Sequence, residues 1–233
     1  MRWIVCIGLL GIIHFAVGQV RVDHVIAVVN DLDSAKSVFI DKGFLIKEGR
    51  LHDNGLLNAH IKFANQSSFE LITVKGTATD PLARQYQSLL TEGEGGVFLA
   101  LTGHDHDSLK HLLQGMHIPF LETNGKWWRY LSFPEDSKLA HLFFIDYLFD
   151  PARMNDPTDH PNGISRIASM QMEGAKALKQ FLRLLGLTGG ADFNTSTGLI
   201  SVIPIIQETK RPRLTGITFE GEEVPDLQVD WRK

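Results

Sequence analysis

The chain carries an echo of itself on the scale of a folding unit. A strand-like run, Val22-Asp23-His24-Val25-Ile26-Ala27-Val28-Val29, leads into Asp31-Leu32-Asp33-Ser34, and the unit closes at Phe69-Glu70-Leu71-Ile72. The order then returns: Val97-Phe98-Leu99-Ala100-Leu101, Asp105-His106-Asp107-Ser108, and Phe144-Ile145-Asp146-Tyr147. Glu70 in the first copy and Asp146 in the second place a carboxylate inside an apolar strand. The space between the copies is therefore the candidate site.

Periodicity fills in each unit. After the strand over 22–29, Asp31 or Asp33 caps a helix with Ala35, Val38 and Phe39 on one face and Gly43 at its end. Strands are expected over 44–47, 57–63 and 68–74, separated by the turn formers His52-Asp53-Asn54-Gly55 and Ala64-Asn65-Gln66-Ser67. That order is βαβββ. A connecting helix over 81–90 and a glycine-rich linker over 92–96 lead to the second unit. There a strand over 97–102 precedes a helix with Leu109, Leu112, Leu113 and Met116 on one face. Strands over 119–122, 126–133 and 141–148 complete a second βαβββ.

Beyond a turn-rich connection over 149–163, the segment 164–220 offers a strand, a helix with Ala175, Leu178, Leu182 and Leu185 on one face, and two further strands. It reads as a partial third module. A polar tail over 221–233 is expected to be loosely ordered. The class is α+β, with two βαβββ modules over 19–148 and the partial third module.

Residues 1–18 stand apart. One charge, Arg2, precedes an apolar run, and Ala16-Val17-Gly18 supplies small residues at a cleavage position. The run is shorter than the roughly 20 residues a membrane span requires, so it reads as a signal peptide of a secreted or periplasmic protein. Its removal takes away Cys6, the single cysteine, which rules out disulfides and thiol catalysis in the mature chain. A net charge of −4 and the lack of a basic stripe argue against a nucleic-acid partner or an anionic membrane surface.

A carboxylate inside an apolar strand costs several kcal/mol unless a cation or hydrogen-bond donors compensate it. Glu70 and Asp146 therefore need partners. A divalent metal is one solution, and imidazole with carboxylates suits zinc, manganese, iron or nickel. An ion pair with Arg129, Arg153 or Lys138 is another use of Asp146. His60, on a middle strand with Asn58 on the same face, is an acid–base candidate or an exposed sheet residue. The acids of His104-Asp105-His106-Asp107 read better as helix caps than as ligands. Trp128 or Tyr130 is expected to form a cleft wall.

These strings, together with Asn58-Ala59-His60-Ile61-Lys62-Phe63 and His160-Pro161-Asn162-Gly163, resemble the glyoxalase-like, vicinal-oxygen-chelate superfamily over residues 21–187. More narrowly, they resemble its subgroup with an additional C-terminal module. The resemblance implies two βαβββ units whose curved sheets enclose a cleft, with metal ligands on the first and last strand of each. His24 and Glu70 match the first unit's pair and Asp146 the second unit's acid. The fourth position falls at Val97 or Phe98, which cannot bind a metal.

Two functions are thereby implied. One is an exported, divalent-metal-dependent lyase, isomerase or dioxygenase. It would use His24, Glu70 and Asp146 as ligands and Glu70 and His60 as catalytic groups on a small oxygen-chelating substrate. The alternative is a metal-free protein that binds or sequesters a small molecule in the same cleft. Either is expected as a monomer or homodimer.

Overall fold

The computed structural model describes residues 20–150, 154–174, 176–205, 214–221 and 227–231. The expected signal segment lies outside the described residues. Strand β1 (Arg21–Val28) is followed by α1 (Leu32–Asp41), β2 (Lys47–Leu51), β3 (Leu56–Lys62) and β4 (Ser68–Val74). Helix α2 (Pro81–Thr91) crosses to β5 (Gly95–Thr102), α3 (His106–Gly115), β6 (Leu121–Asn124), β7 (Trp128–Ser132) and β8 (Leu142–Tyr147). The third part comprises β9 (Ile164–Glu173), α4 (Lys176–Leu184), β10 (Asp192–Asn194), β11 (Leu199–Ile203), β12 (Leu214–Gly221) and β13 (Leu227–Asp230).

The repeated Asp-x-Asp-Ser is a repeated helix cap. Asp31 accepts a hydrogen bond from the Ser34 backbone N–H at 2.7 Å, and Asp105 does the same for Ser108 at 2.7 Å. Each satisfies an amide that the first helical turn leaves unpaired. Asp80 caps α2 in the same way through Ala83, with Pro81 at the first helical position. Thus the string most visible in the repeat builds the fold and not the site.

The two modules join in one eight-stranded sheet of order β2-β3-β4-β1-β5-β8-β7-β6. Within each module the first and last strands pair in parallel, and β1 and β5 meet antiparallel at the junction. The third part forms a five-stranded sheet, β10-β11-β9-β12-β13. Its parallel β9–β11 pair and antiparallel β9–β12 pair repeat the arrangement around β1. The expected partial module is therefore present, with one strand of the βαβββ order lost.

One core joins the sheets. Phe219 of β12 packs against Phe39, Phe44, Phe63 and Phe69 of the first module, with ring centroids 5.4–6.4 Å apart. Phe181 of α4 reaches Phe133 and Phe144 of the second. The eight-stranded sheet thus buries one face against α1, α3 and the third module. Its opposite face carries a separate apolar cluster, in which Ala83, Tyr86 and Leu89 of α2 cover Ile26, Val28, Ile72, Val97 and Phe98. This second face is the cleft face.

Several boundaries differ from those expected. The second strand starts at Lys47 because Gly43, at φ +80°, ends α1 and folds Phe44 into the core. The first of the two further strands expected in the third module, over 199–207, ends at Ile203, before Pro204, and its residues 206 and 207 lie outside the described residues. The tail expected to be loose contains β13, whose Leu227 and Val229 pack on the core, followed by Trp231 against Phe69.

Candidate functional site

Alternation along the strands decides what reaches the cleft. On β1, Val25 and Ala27 join the core while Ile26 and Val28 join the cleft cluster, and His24 shares their face. On β4 the core takes Phe69 and Leu71, leaving Glu70 and Ile72 for the cleft. On β3, Ala59 and Ile61 face the core, so Asn58 and His60 face the cleft. His60 lies directly opposite Glu70 in the β3–β4 register.

Asp23 should point away from His24, yet it does not. The β1–β5 ladder passes from Val22 opposite Leu101 to His24 opposite Ala100, leaving Asp23 as the extra residue of a β-bulge. A bulge turns two successive side chains toward one face. Asp23 Oδ1 therefore meets His24 Nδ1 at 2.5 Å, and the Tyr147 hydroxyl donates to the same Asp23 oxygen at 3.0 Å. Across the ring, His24 Nε2 faces Glu70 Oε2 at 3.5 Å. The other Glu70 oxygen accepts from the Asn58 amide at 2.7 Å, and His60 Nε2 stands 3.9 Å from it. Asn58 Nδ2 also lies 3.2 Å from His60 Nε2.

His24 is thus an imidazole with a buried carboxylate at each nitrogen. Burial alone would raise the pKa of Asp23, but the hydrogen bond and charge of His24 and the Tyr147 hydroxyl outweigh it and hold it low. Glu70 is likewise pushed up by burial and brought below its ordinary value by His60, His24, the Asn58 amide and Lys62. Both carboxylates are ionised at neutral pH. Burial, opposed by Glu70, lowers His60 to about 4, so this imidazole is neutral there. Burial also lowers the Lys62 ammonium, which donates to the Ser68 hydroxyl at 3.3 Å. Tyr147 is driven up by burial and by Asp23, so its phenol keeps its proton.

Asp146, expected as the third metal ligand, does not join this group. It lies on the β8 face of Leu142 and Phe144, which are core residues, and accepts from Arg129 Nε at 2.8 Å. The register explains the misassignment. Val25 faces Phe69 across β1–β4, and Leu99 faces Leu142 across β5–β8, all four being core residues. Matching those pairs makes Phe98 the counterpart of His24 and Phe143 that of Glu70. Both positions in the second module are phenylalanine, with ring centroids 6.3 Å apart, and Phe143 stands edge-on to His24 at 5.5 Å.

The donor set expected for zinc, manganese, iron or nickel therefore does not assemble. One expected ligand faces the other side of the sheet, and the second module offers two benzene rings in place of donors. Within the first module, His24 Nδ1 is committed to Asp23 and one Glu70 oxygen to Asn58. Among the described residues, no three or more His, Cys, Asp or Glu side chains are grouped to hold a metal ion.

The expected cleft-wall aromatics divide as the strands predict. Trp128 and Tyr130 flank the core-facing Leu131 on β7, and Tyr130 contacts Phe143 on the cleft face at 6.0 Å. His104 and His106 lie on the far side, His104 against Phe144 and His106 toward Glu122, while Asp105 caps α3 as expected. His160 packs between Phe44 and Phe63 and accepts from the Leu45 amide, a structural role. A cavity of about 290 Å3 lies elsewhere, between the β3–β4 turn and the third module, where its Arg166 is paired with Glu220. It gathers no acid–base set. Sequence reasoning missed Asp23 and Tyr147; the adjacent Asp23-His24 pair within a strand was the available sign.

A family model described as a glyoxalase-like domain matches residues 22–186. No curated protein matches the chain. Among solved structures, a hypothetical protein from Staphylococcus aureus is similar at 14% identity and a TM-score of 0.58, covering 80% of this chain and 87% of its own. Methylmalonyl-CoA epimerase from Mycobacterium tuberculosis is similar at 20% identity and a TM-score of 0.42, covering 53% of this chain and 85% of its own. The first likeness speaks for the fold alone.

Proposed function

Because this chain belongs to the glyoxalase-like domain family, we propose that it binds a small oxygen-bearing molecule in the cleft and moves a proton on it through His24. The observation that carries this reading is the His24 ring held between two buried carboxylates on the cleft face. Asp23 accepts the Nδ1 proton and so leaves the lone pair on Nε2, pointing toward Glu70. A proton taken from the ligand lodges on Nε2, and the imidazolium formed is stabilised by Asp23 on one side and Glu70 on the other. Asn58 holds the Glu70 carboxylate, and His60 supports Asn58. Proton transfer of this kind serves an isomerase or a lyase. It requires no ligand from the second module, where Phe98 and Phe143 stand.

The test is solvent exchange. A panel of small enolisable carbonyl compounds is incubated with the protein in D2O, and deuterium incorporation is followed by proton NMR. His24→Ala should slow exchange by about 10²–10⁴-fold, the usual worth of a positioned acid–base group, and Glu70→Gln should slow it as well. Exchange that persists in H24A contradicts the reading. Exchange that disappears on chelation and returns with a divalent cation would restore the metal-dependent alternative.

The metal-free sequestering function is the second reading, favoured by the same two phenylalanines, which make half of the cleft a binding wall without reactive groups. Export is proposed on the N-terminal sequence pattern. N-terminal sequencing of the protein recovered from its native host should begin just after Gly18, and retention of Met1 or Arg2 would overturn export by cleavage.

A further inference from the structure

The second module's half of the cleft face is rich in aromatic residues beyond the part that α2 covers at Phe98. On β7 and β8, the core-facing residues Leu131, Leu142 and Phe144 are essentially inaccessible, while Trp128, Tyr130, Phe143 and Tyr147 on the other face stay half-exposed. Trp128 lies directly opposite Tyr147 in the ladder. Tyr130 touches Phe143, and Phe143 in turn stands against the His24 imidazole. Partly exposed aromatic residues lined up in this way offer apolar and π surface to a ligand. The wall ends at the polar set of the first module, where the Tyr147 hydroxyl reaches Asp23.

The polar set carries two buried carboxylates, Asp23 and Glu70, with the Lys62 ammonium nearby. They stand next to ring faces that themselves attract cations. An anionic ligand would meet like charge at the inner end of the cleft. A cationic donor would meet two acceptors.

We propose that the aromatic wall and the two carboxylates together form a site for an aromatic ammonium compound, its ring on Tyr130 and Phe143 and its protonated amine toward Glu70 and Asp23. This rests on the reading that the cleft is the ligand site, and it names the class of molecule that the cleft takes. Tyramine, 4-hydroxyphenylacetate and ethylamine separate the contributions, since the first two share a ring and differ in charge, while the third keeps the ammonium without the ring.

Saturation-transfer NMR with the purified chain should show tyramine binding at least tenfold tighter than 4-hydroxyphenylacetate, with ethylamine weaker than tyramine. Tyr130→Leu should weaken tyramine about three- to tenfold, the worth of one aromatic contact. Should that variant lose its near-UV circular dichroism, Phe143→Leu makes the same test. Glu70→Gln should narrow the gap between tyramine and 4-hydroxyphenylacetate. Equal or tighter binding of the anion, ethylamine binding as well as tyramine, no transfer to tyramine at about 10 mM, or a folded Y130L with unchanged affinity would each overturn the proposal. Failure of carbonyl exchange with the tyramine preference intact refutes the proton-transfer reading alone. The converse result refutes the ligand class alone.

Discussion

A single residue decides how the site is built. Asp23 reaches the cleft only because the bulge between Val22 and His24 turns it there, and its carboxylate then fixes which His24 nitrogen carries the proton. Asp23→Asn retains a hydrogen-bond acceptor but removes the charge beside the ring. It should weaken the hydrogen bond at His24 Nδ1, seen as an upfield shift of the Nδ1 proton; an unchanged proton shift would show that the Asp23 charge is not felt by the ring. Buried imidazoles elsewhere set the acid stability. Burial depresses His60 and His104 to about 4 and His141 to about 3, from an ordinary 6.5. Folding with these rings neutral means that the unfolded chain binds more protons in this window, so stability is present above pH 6.5 and lost as pH falls toward 4. Neither His141 ring nitrogen has a partner, so His141→Leu should reduce the fall in melting temperature between pH 7 and pH 5. An identical fall in the variant would exclude His141 as a contributor.

At the scale of elements, the two helices of the paired modules begin with the same device. Asp31→Ala and Asp105→Ala should each lower the midpoint of urea unfolding by removing the cap on the Ser34 or Ser108 amide, and neither should alter ligand binding in the cleft. Here the sequence was most readable. Asp31, Asp105 and Asp80 announce their helices, and the alternation of Phe69, Glu70 and Leu71 already puts the carboxylate opposite the core. What the repeat concealed is register. Phe69-Glu70-Leu71 and Phe144-Ile145-Asp146 look alike as strings, but hydrogen bonding aligns Glu70 with Phe143, and Asp146 falls on the wrong face by one residue. Strand parity makes such an error total, because a shift of one position carries a side chain through the sheet. The bulge at Asp23 was hidden for the same reason, since it is a property of the ladder with β5 and not of β1 alone. Of the three cations the sequence offers Asp146, Arg129 is the partner the structure shows.

The whole molecule is held by a seam that the repeat does not contain. Trp231, after β13, lies on Gly95 and Gly96 at the start of β5, and a methyl group on Gly96 would stand 2.5 Å from the indole and 2.7 Å from Leu214. Gly96→Ala should therefore destabilise the fold by about 1–3 kcal/mol through overpacking, while Gly115→Ala, which meets nothing nearby, should not. Phe219 fills the space among four phenylalanines of the first module, so the third module is part of the same core. A single cooperative transition by calorimetry is expected, and a chain cut after residue 163 should lose its near-UV signal. Two separate transitions would show the sheets to be independent. In this architecture the core side binds the three modules together, leaving the opposite face to divide between a polar first half and an aromatic second half. The most direct test of that division is the nitrogen-15 spectrum of His24, assigned through H24A, with and without one equivalent of zinc. The account predicts a ring with a proton on Nδ1, toward Asp23, and an Nε2 signal unmoved by zinc; a stoichiometric shift of Nε2 that Glu70→Gln abolishes would contradict it.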